Sequence, residues 1–374
     1  MLPYGRQSVD ESDVTAVTTV LRGDWLTTGP AVAAFEAELA RWTGGVPCVA
    51  VTSGTAALHV AYVAAGVRPG DEVVTTPLTF VATAATAALL GARVRFADVQ
   101  PDTGNLDPDA VTALLTGRTR AVTAVDYAGH PADYDQLREV TERAGALLIA
   151  DAAHSIGAAY KDRPVGTLAD LTTFSFFPTK TVTTAEGGAV AAADPELRTR
   201  AARFMNHGLV REPALQREPD VGGWHQEVHA FGLNYRLPDV LCALGVSQLR
   251  RLARFRERRA ELVARYNVLL RDVPGLTLPA RRAYVSPSWH LYPVRVRHGR
   301  RREVYDRMRA AGIGVQVNYI PAYWHPVFED LGYRRGMCPA AEAYYAEELS
   351  LPLFPDLTDA EQDHVVDTLA AILR

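Results

Sequence analysis

Ala146-Leu147-Leu148-Ile149-Ala150-Asp151-Ala152-Ala153-His154 is a short apolar run that ends in a carboxylate and then a histidine. It reads as a buried strand. Upstream, the chain alternates. Residues 71–76 predict a strand, 80–90 a helix, 94–97 a strand, 107–115 a helix, 121–125 a strand and 135–144 a helix. Such alternation predicts an α/β fold, a mostly parallel sheet with helices on both faces and functional residues at the carboxyl ends of strands. Asp151 stands at one of those ends. Burying its carboxylate is costly without a positive partner; it either caps the next helix or holds a protonated ring nitrogen.

Downstream lies Thr172-Thr173-Phe174-Ser175-Phe176-Phe177-Pro178-Thr179-Lys180, a β-rich aromatic run followed by Glu186-Gly187-Gly188. Of the 39 basic residues only Lys161 and Lys180 are lysines. Arginine cannot shed a proton near neutral pH and attack a carbonyl, whereas a partly desolvated lysine can. Lys161, in Tyr-Lys-Asp-Arg-Pro, reads as an exposed turn. Lys180 reads as a strand-end residue presented to a cleft.

A second strand is expected at 47–52, turning at once into a helix through Ser53-Gly54-Thr55-Ala56-Ala57-Leu58-His59. Taken alone, the turn is either an ordinary Ser/Thr cap or an anion site made by free N–H groups and the helix dipole. No lysine follows in the turn and no G-x-G-x-x-G occurs anywhere, so neither an ATP-type P-loop nor a dinucleotide fold is indicated. Phosphate turn, acid and lysine together match one cofactor: pyridoxal phosphate, held by a lysine Schiff base with a carboxylate at the pyridinium nitrogen.

At 374 residues the chain predicts two domains. We divide it into an N-terminal arm (1–12), a large cofactor-binding domain (13–245), and a bridging helix with a smaller C-terminal α+β domain (246–374). The arginines of 246–270 are interleaved with Glu257 and Glu261, which reads as a solvated helix face rather than a nucleic-acid surface; a net charge of −4 agrees. Strands at 290–296 and 315–319, a helix at 302–311 and two final helices complete the second domain. The segment 206–231 is long and irregular, and Trp224-His225-Gln226-Glu227-Val228-His229 lacks the spacing of a zinc-protease helix, so no metal is expected. Cys48, Cys242 and Cys338 form no paired motif, the N-terminus turns polar at once, and the longest apolar run, 80–92, falls short of the roughly 20 residues of a membrane span. A cytoplasmic protein is expected, with no membrane or nucleic-acid partner.

Together, 23–30 (Gly-Asp-Trp-Leu-Thr-Thr-Gly-Pro), 53–59, Gly-Asp-Glu-Val (70–73), Thr-Phe-Val-Ala-Thr (79–83), Asp-Ala-Ala-His (151–154), Phe-Ser-Phe-x-x-x-Lys (174–180), Glu-Gly-Gly (186–188) and Asn-Tyr-Arg (234–236) resemble the DegT/DnrJ/EryC1/StrS family of sugar aminotransferases. The resemblance spans the chain. It is nearest to enzymes that aminate C4 of UDP-linked 4-keto sugars in the pseudaminic acid pathway. It implies a fold-type I aminotransferase, a homodimer, taking an amino group from L-glutamate to a nucleotide-linked 4-keto-6-deoxy sugar.

By the same resemblance, Lys180 is the Schiff-base lysine and proton shuttle, Asp151 pairs with the ring nitrogen, His154 lies by the phenolic oxygen and Phe80 stacks on the ring. Gly54, Thr55, Ala56 and Ser175 hold the phosphate, with Asn234 reaching it from the other subunit. Tyr4, Asp24, Trp25, Leu26, Thr27, Ser53, Gln316, Val317, Asn318, Tyr319 and His325 face the sugar nucleotide, and Arg236 is a candidate for the glutamate carboxylates. Phe177 stands where relatives often carry histidine. The alternatives are an aminotransferase for a TDP-linked sugar or an aminocyclitol, and a cofactor-bound regulatory protein without turnover.

Overall fold

A computed structural model describes residues 1–374. Seven strands build the main sheet: β1 (Cys48–Val51), β2 (Glu72–Thr75), β3 (Arg93–Phe96), β4 (Thr119–Val125), β5 (Leu147–Asp151), β6 (Leu171–Ser175) and β7 (Gly188–Ala191). Their spatial order is β1-β7-β6-β5-β4-β2-β3. From β3 to β6 every neighbouring pair is parallel, and only β7 runs against its neighbours β6 and β1. The expected α/β architecture is the one found.

The two-residue period of a strand divides these residues between two cores. Ile149 and Val73 pack on one face with helices Gly54–Ala64 and Ala82–Leu89. Leu148, Ala150 and Val74 pack on the other, with Pro30–Trp42, Tyr134–Ala144 and Asp239–Arg250. Both faces are therefore covered, which is why β5 reads as a continuous apolar run rather than an alternating one.

The helix expected over 246–270 is two helices, Asp239–Arg250 and Leu252–Leu269, meeting at Arg251. Leu249 and Leu252 belong to the second sheet core, whereas Leu262 and Val263 belong to a third. The helix Leu252–Leu269 thus runs from one core to the other, and the Arg251 guanidinium at its start pairs with Asp10 (2.7 Å) and Asp13. The third core lies under an antiparallel sheet of β8 (Leu276–Thr277), β9 (Tyr292–Val296) and β10 (Glu348–Leu351), flanked by helices Arg301–Ala310 and Asp359–Leu373. The strand expected over 315–319 is instead irregular backbone tied to β10 by one bridge, Gln316 to Ser350. No helix is long and apolar enough to cross a membrane.

Candidate active site

The carboxyl ends of the parallel strands converge on a cavity of about 440 Å³. Asp151 ends β5 there. Its Oδ2 accepts from the Thr83 hydroxyl at 2.6 Å, and its Oδ1 from the Ala153 N–H at 3.2 Å. Burial raises its carboxyl pKa, and the Thr83 bond opposes that rise. Thr83, in the first turn of helix Ala82–Leu89, is itself 2.8 Å from the Thr79 hydroxyl, so the turn after β2 and the helix it opens supply a two-hydroxyl brace.

Lys180 lies on the same cavity, five residues beyond β6. Burial lowers its ammonium pKa to about 8, with the charge of Asp151 pulling the other way. The amine thus reaches its neutral, nucleophilic form close to physiological pH. Beside it, His154 Nε2 is 3.2 Å from the Tyr319 hydroxyl, and the rings of His154 and His290 stand 4.3 Å apart. Burial, followed by the nearby Lys180 charge, pushes the His154 pKa well down, so its ring stays neutral; its Nδ1 has no partner in the chain.

The turn after β1 lines the same cavity and forms a cradle of backbone N–H groups. Ser53 caps helix Gly54–Ala64, its hydroxyl accepting the Ala56 N–H at 3.0 Å and its carbonyl the Ala57 N–H at 2.9 Å. The Gly54 and Thr55 N–H groups are left free at the positive end of the dipole. Because β7 is antiparallel, its first residue, Gly188, falls at the carboxyl ends of its neighbours, opposite Val51 and Ser175. A Cβ at Gly188 would lie 2.3 Å from the Ser53 carbonyl oxygen, and one at Gly54 2.7 Å from Ser175 Cβ. Both glycines are steric requirements of the cradle. Phe80, 60% exposed, offers a bare aromatic face to the cavity.

Of the residues expected from sequence, Tyr4, Ser53, Gly54, Thr55, Phe80, Asp151, His154, Ser175, Lys180, Gln316, Asn318 and Tyr319 line this one cavity. Ala56 stands just behind it, bonded to Ser53. Asp24, Trp25, Leu26, Thr27 and Asn234 lie exposed and outside its lining; also outside it are Val317, half-buried against the third core, and the half-buried His325, which caps helix Pro326–Asp330. Arg236 is elsewhere, bonding Asn206 at 2.7 Å. Thr79, Thr83, Thr179, Glu186 and His290 line the cavity without having been singled out. Ser-Trp-His at 288–290 carries no local signal for His290, which arrives through backbone bonds to Ala128 and Gly129.

The profile of the DegT/DnrJ/EryC1/StrS aminotransferase family matches residues 7–370. The chain belongs to that family. It is 36% identical, over all of its length and 98% of the relative's, to the UDP-4-amino-4,6-dideoxy-N-acetyl-beta-L-altrosamine transaminase of Campylobacter jejuni. Two solved structures superpose with TM-scores of 0.93 at 29% identity, each covering 100% of this chain and 99% of the other. One is Helicobacter pylori PseC, an aminotransferase involved in the biosynthesis of pseudoaminic acid. The other is Spr1654 of Streptococcus pneumoniae in its PMP-form. This family member is accordingly a sugar aminotransferase, and the cavity on Asp151 and Lys180 is its candidate centre.

Proposed function

We propose that the enzyme transfers the amino group of L-glutamate to C4 of a nucleotide-linked 4-keto-6-deoxy sugar, UDP-linked and of the pseudaminic type. The observation that carries this reading is the meeting of a neutralisable lysine, a buried carboxylate and a free helix N-terminus in one cavity, in a chain whose C. jejuni relative is a UDP-amino-sugar transaminase.

The cofactor is pyridoxal 5'-phosphate, which when bound supplies an electron sink for the carbon that loses its proton. The residues present fit it. Lys180 Nζ would provide the amine that holds the cofactor's aldehyde and would serve as the proton carrier during the transfer. Asp151, braced by Thr83, would keep the ring nitrogen protonated. His154, with Nδ1 unpartnered, would lie by the phenolic oxygen, Phe80 would cover the ring, and Gly54, Thr55 and Ser175 would hold the phosphate, with Ala56 setting the turn through its N–H bond to Ser53. Asn234 and the exposed 24–27 loop act on a second copy's site in a homodimer, which accounts for their place outside this chain's cavity. Tyr4, Ser53, Gln316, Val317, Asn318, Tyr319 and His325 belong to the acceptor side. In this reading the enzyme works in the cytoplasm, and residues 1–12, 13–245 and 246–374 are its arm, cofactor-binding domain and smaller domain.

The test is the near-ultraviolet and visible absorbance of the purified protein, before and after L-glutamate and then after UDP- or TDP-linked 4-keto-6-deoxy sugars. The expected result is a cofactor band that glutamate bleaches and a UDP-linked sugar restores. Restoration only by a TDP-linked sugar overturns the nucleotide assignment, and a band indifferent to glutamate overturns the transaminase reading.

A further inference from the structure

Glu348 is fully buried on β10 and forms no ion pair. Directly across the ladder stands Arg295, whose guanidinium lies over the Tyr344 ring at 5.4 Å instead of meeting the carboxylate. Burial, opposed by bonds from Ser350 and Asn318, pushes the Glu348 carboxyl up to about 8. A side chain this costly to bury has no ion pair to compensate it, only the charge of Arg301 acting from beyond ion-pair distance.

Its hydrogen bonds all lead to one place. Oε2 accepts the Asn318 N–H at 2.6 Å, and Oε1 accepts the Ser350 hydroxyl at 2.6 Å. Ser350 Oγ in turn accepts from Asn318 Nδ2 at 3.0 Å, and the Asn318 carbonyl accepts the Tyr127 hydroxyl at 2.5 Å. Asn318 is 4% exposed and spends three of its polar groups on this network, so it is a strut of the cavity wall more than a contact for a ligand. The next residue, Tyr319, points its hydroxyl at His154 and its ring edge toward Phe80, 6.3 Å between centroids. Gln316, two residues earlier, is pinned to the Ser350 backbone at 2.8 and 3.2 Å. Glu348 thus grips the centre of the Gln316–Tyr319 wall from behind. The floor made by Asp151 and Lys180 is held by other elements, β5 and the turn after β6.

We propose that Glu348 is a positioning residue for the acceptor half of the reaction, setting the Gln316–Tyr319 wall against which the keto sugar binds while leaving the glutamate half untouched. This rests on the transaminase reading above. The wall's conformation needs an acceptor for the Asn318 N–H and a partner for Ser350. An apolar replacement supplies neither, whereas glutamine supplies both: its carbonyl accepts from Asn318 and its amide donates to Ser350 Oγ.

The experiment separates the half-reactions by absorbance in wild type, Glu348→Ala, Glu348→Gln and Ser350→Ala. Glutamate alone drives the first half, and UDP- or TDP-linked 4-keto sugars drive the return. In Glu348→Ala the sugar concentration for half-maximal return rises about tenfold or more, the size expected of a stranded buried donor, while the glutamate dependence stays within about twofold. Glu348→Gln recovers most of the loss, and Ser350→Ala shows a smaller shift in the same direction. A parallel fall of both halves, or no change in either, overturns the proposal. If Glu348→Ala does not fold, the Ser350→Ala split decides alone. A wild-type band unmoved by glutamate removes the transaminase reading first and the proposal with it.

Discussion

The Thr83 hydroxyl donates to Asp151 Oδ2 at 2.6 Å, from the first turn of helix Ala82–Leu89 to the end of β5. With the Ala153 N–H on the other oxygen, the carboxylate is held in one rotamer from two directions. Thr83→Val keeps the shape and removes the donor. The expected outcome is a loss of about tenfold in cofactor affinity or turnover, from one hydrogen bond to a charged group. Asp151→Asn, which removes the charge itself, should cost more than Thr83→Val in a cofactor titration followed by the glutamate-driven absorbance change.

Lys180 is held at a pKa of about 8, against 10.5 for a free side chain, chiefly by burial. A depressed lysine destabilises the fold wherever it is charged in both states. The penalty is complete below pH 8 and is relieved as pH rises from there to 10.5, because the unfolded chain then binds the extra proton. Lys180→Met should therefore raise the melting temperature of the cofactor-free protein at neutral pH, the advantage shrinking in alkali. The same variant should lose the cofactor band and all turnover.

Gly188→Ala should damage the cradle specifically. Its new Cβ meets backbone, the Ser53 carbonyl oxygen at 2.3 Å, which cannot swing aside as a flexible side chain would. A cost of about 1–3 kcal/mol is expected from such overpacking. Phosphate affinity, read from cofactor titration of the apo protein, should fall along with stability in urea.

Glu348 gives a pH dependence of opposite sign. Its carboxyl titrates near 8 in the fold and near 4.5 in the unfolded chain, so it favours the fold fully below 4.5 and loses that contribution as pH climbs toward 8. Urea unfolding of wild type and Glu348→Gln at about pH 5 and at pH 8 should show the variant gaining relative stability at the higher pH.

Asp151 and the Ser53–Ala56 turn could be read because each belongs to one element, a strand end or a helix start, whose local pattern marks it, whereas Lys180, in the turn five residues past β6, was marked by being one of only two lysines. Thr83 was visible only as part of a motif; its bond to Asp151 joins residues 68 apart. His290 and Glu348 left no trace, since their places depend on how the third core docks against the main sheet. The break at Arg251 was hidden because the helical period of 246–270 continues through it, with Leu249 before it and Leu252 and Phe255 after it on the same core. Periodicity records which face is apolar, not which neighbour that face will meet.

The scarcity of lysine bears on selectivity of handling. An aldehyde in solution condenses with any unprotonated amine, and most protein surfaces offer many. Lys161, the other lysine, is bound to Asp135 at 2.8 Å with its pKa raised by that bond, and it sits over the Tyr160 and Tyr284 rings. Every other basic side chain of the 39 is a guanidinium, inert toward carbonyls at neutral pH. Among its side chains the protein therefore offers a reactive carbonyl a single competent amine, and the surface acts as a non-stick coat that leaves stray aldehyde for it.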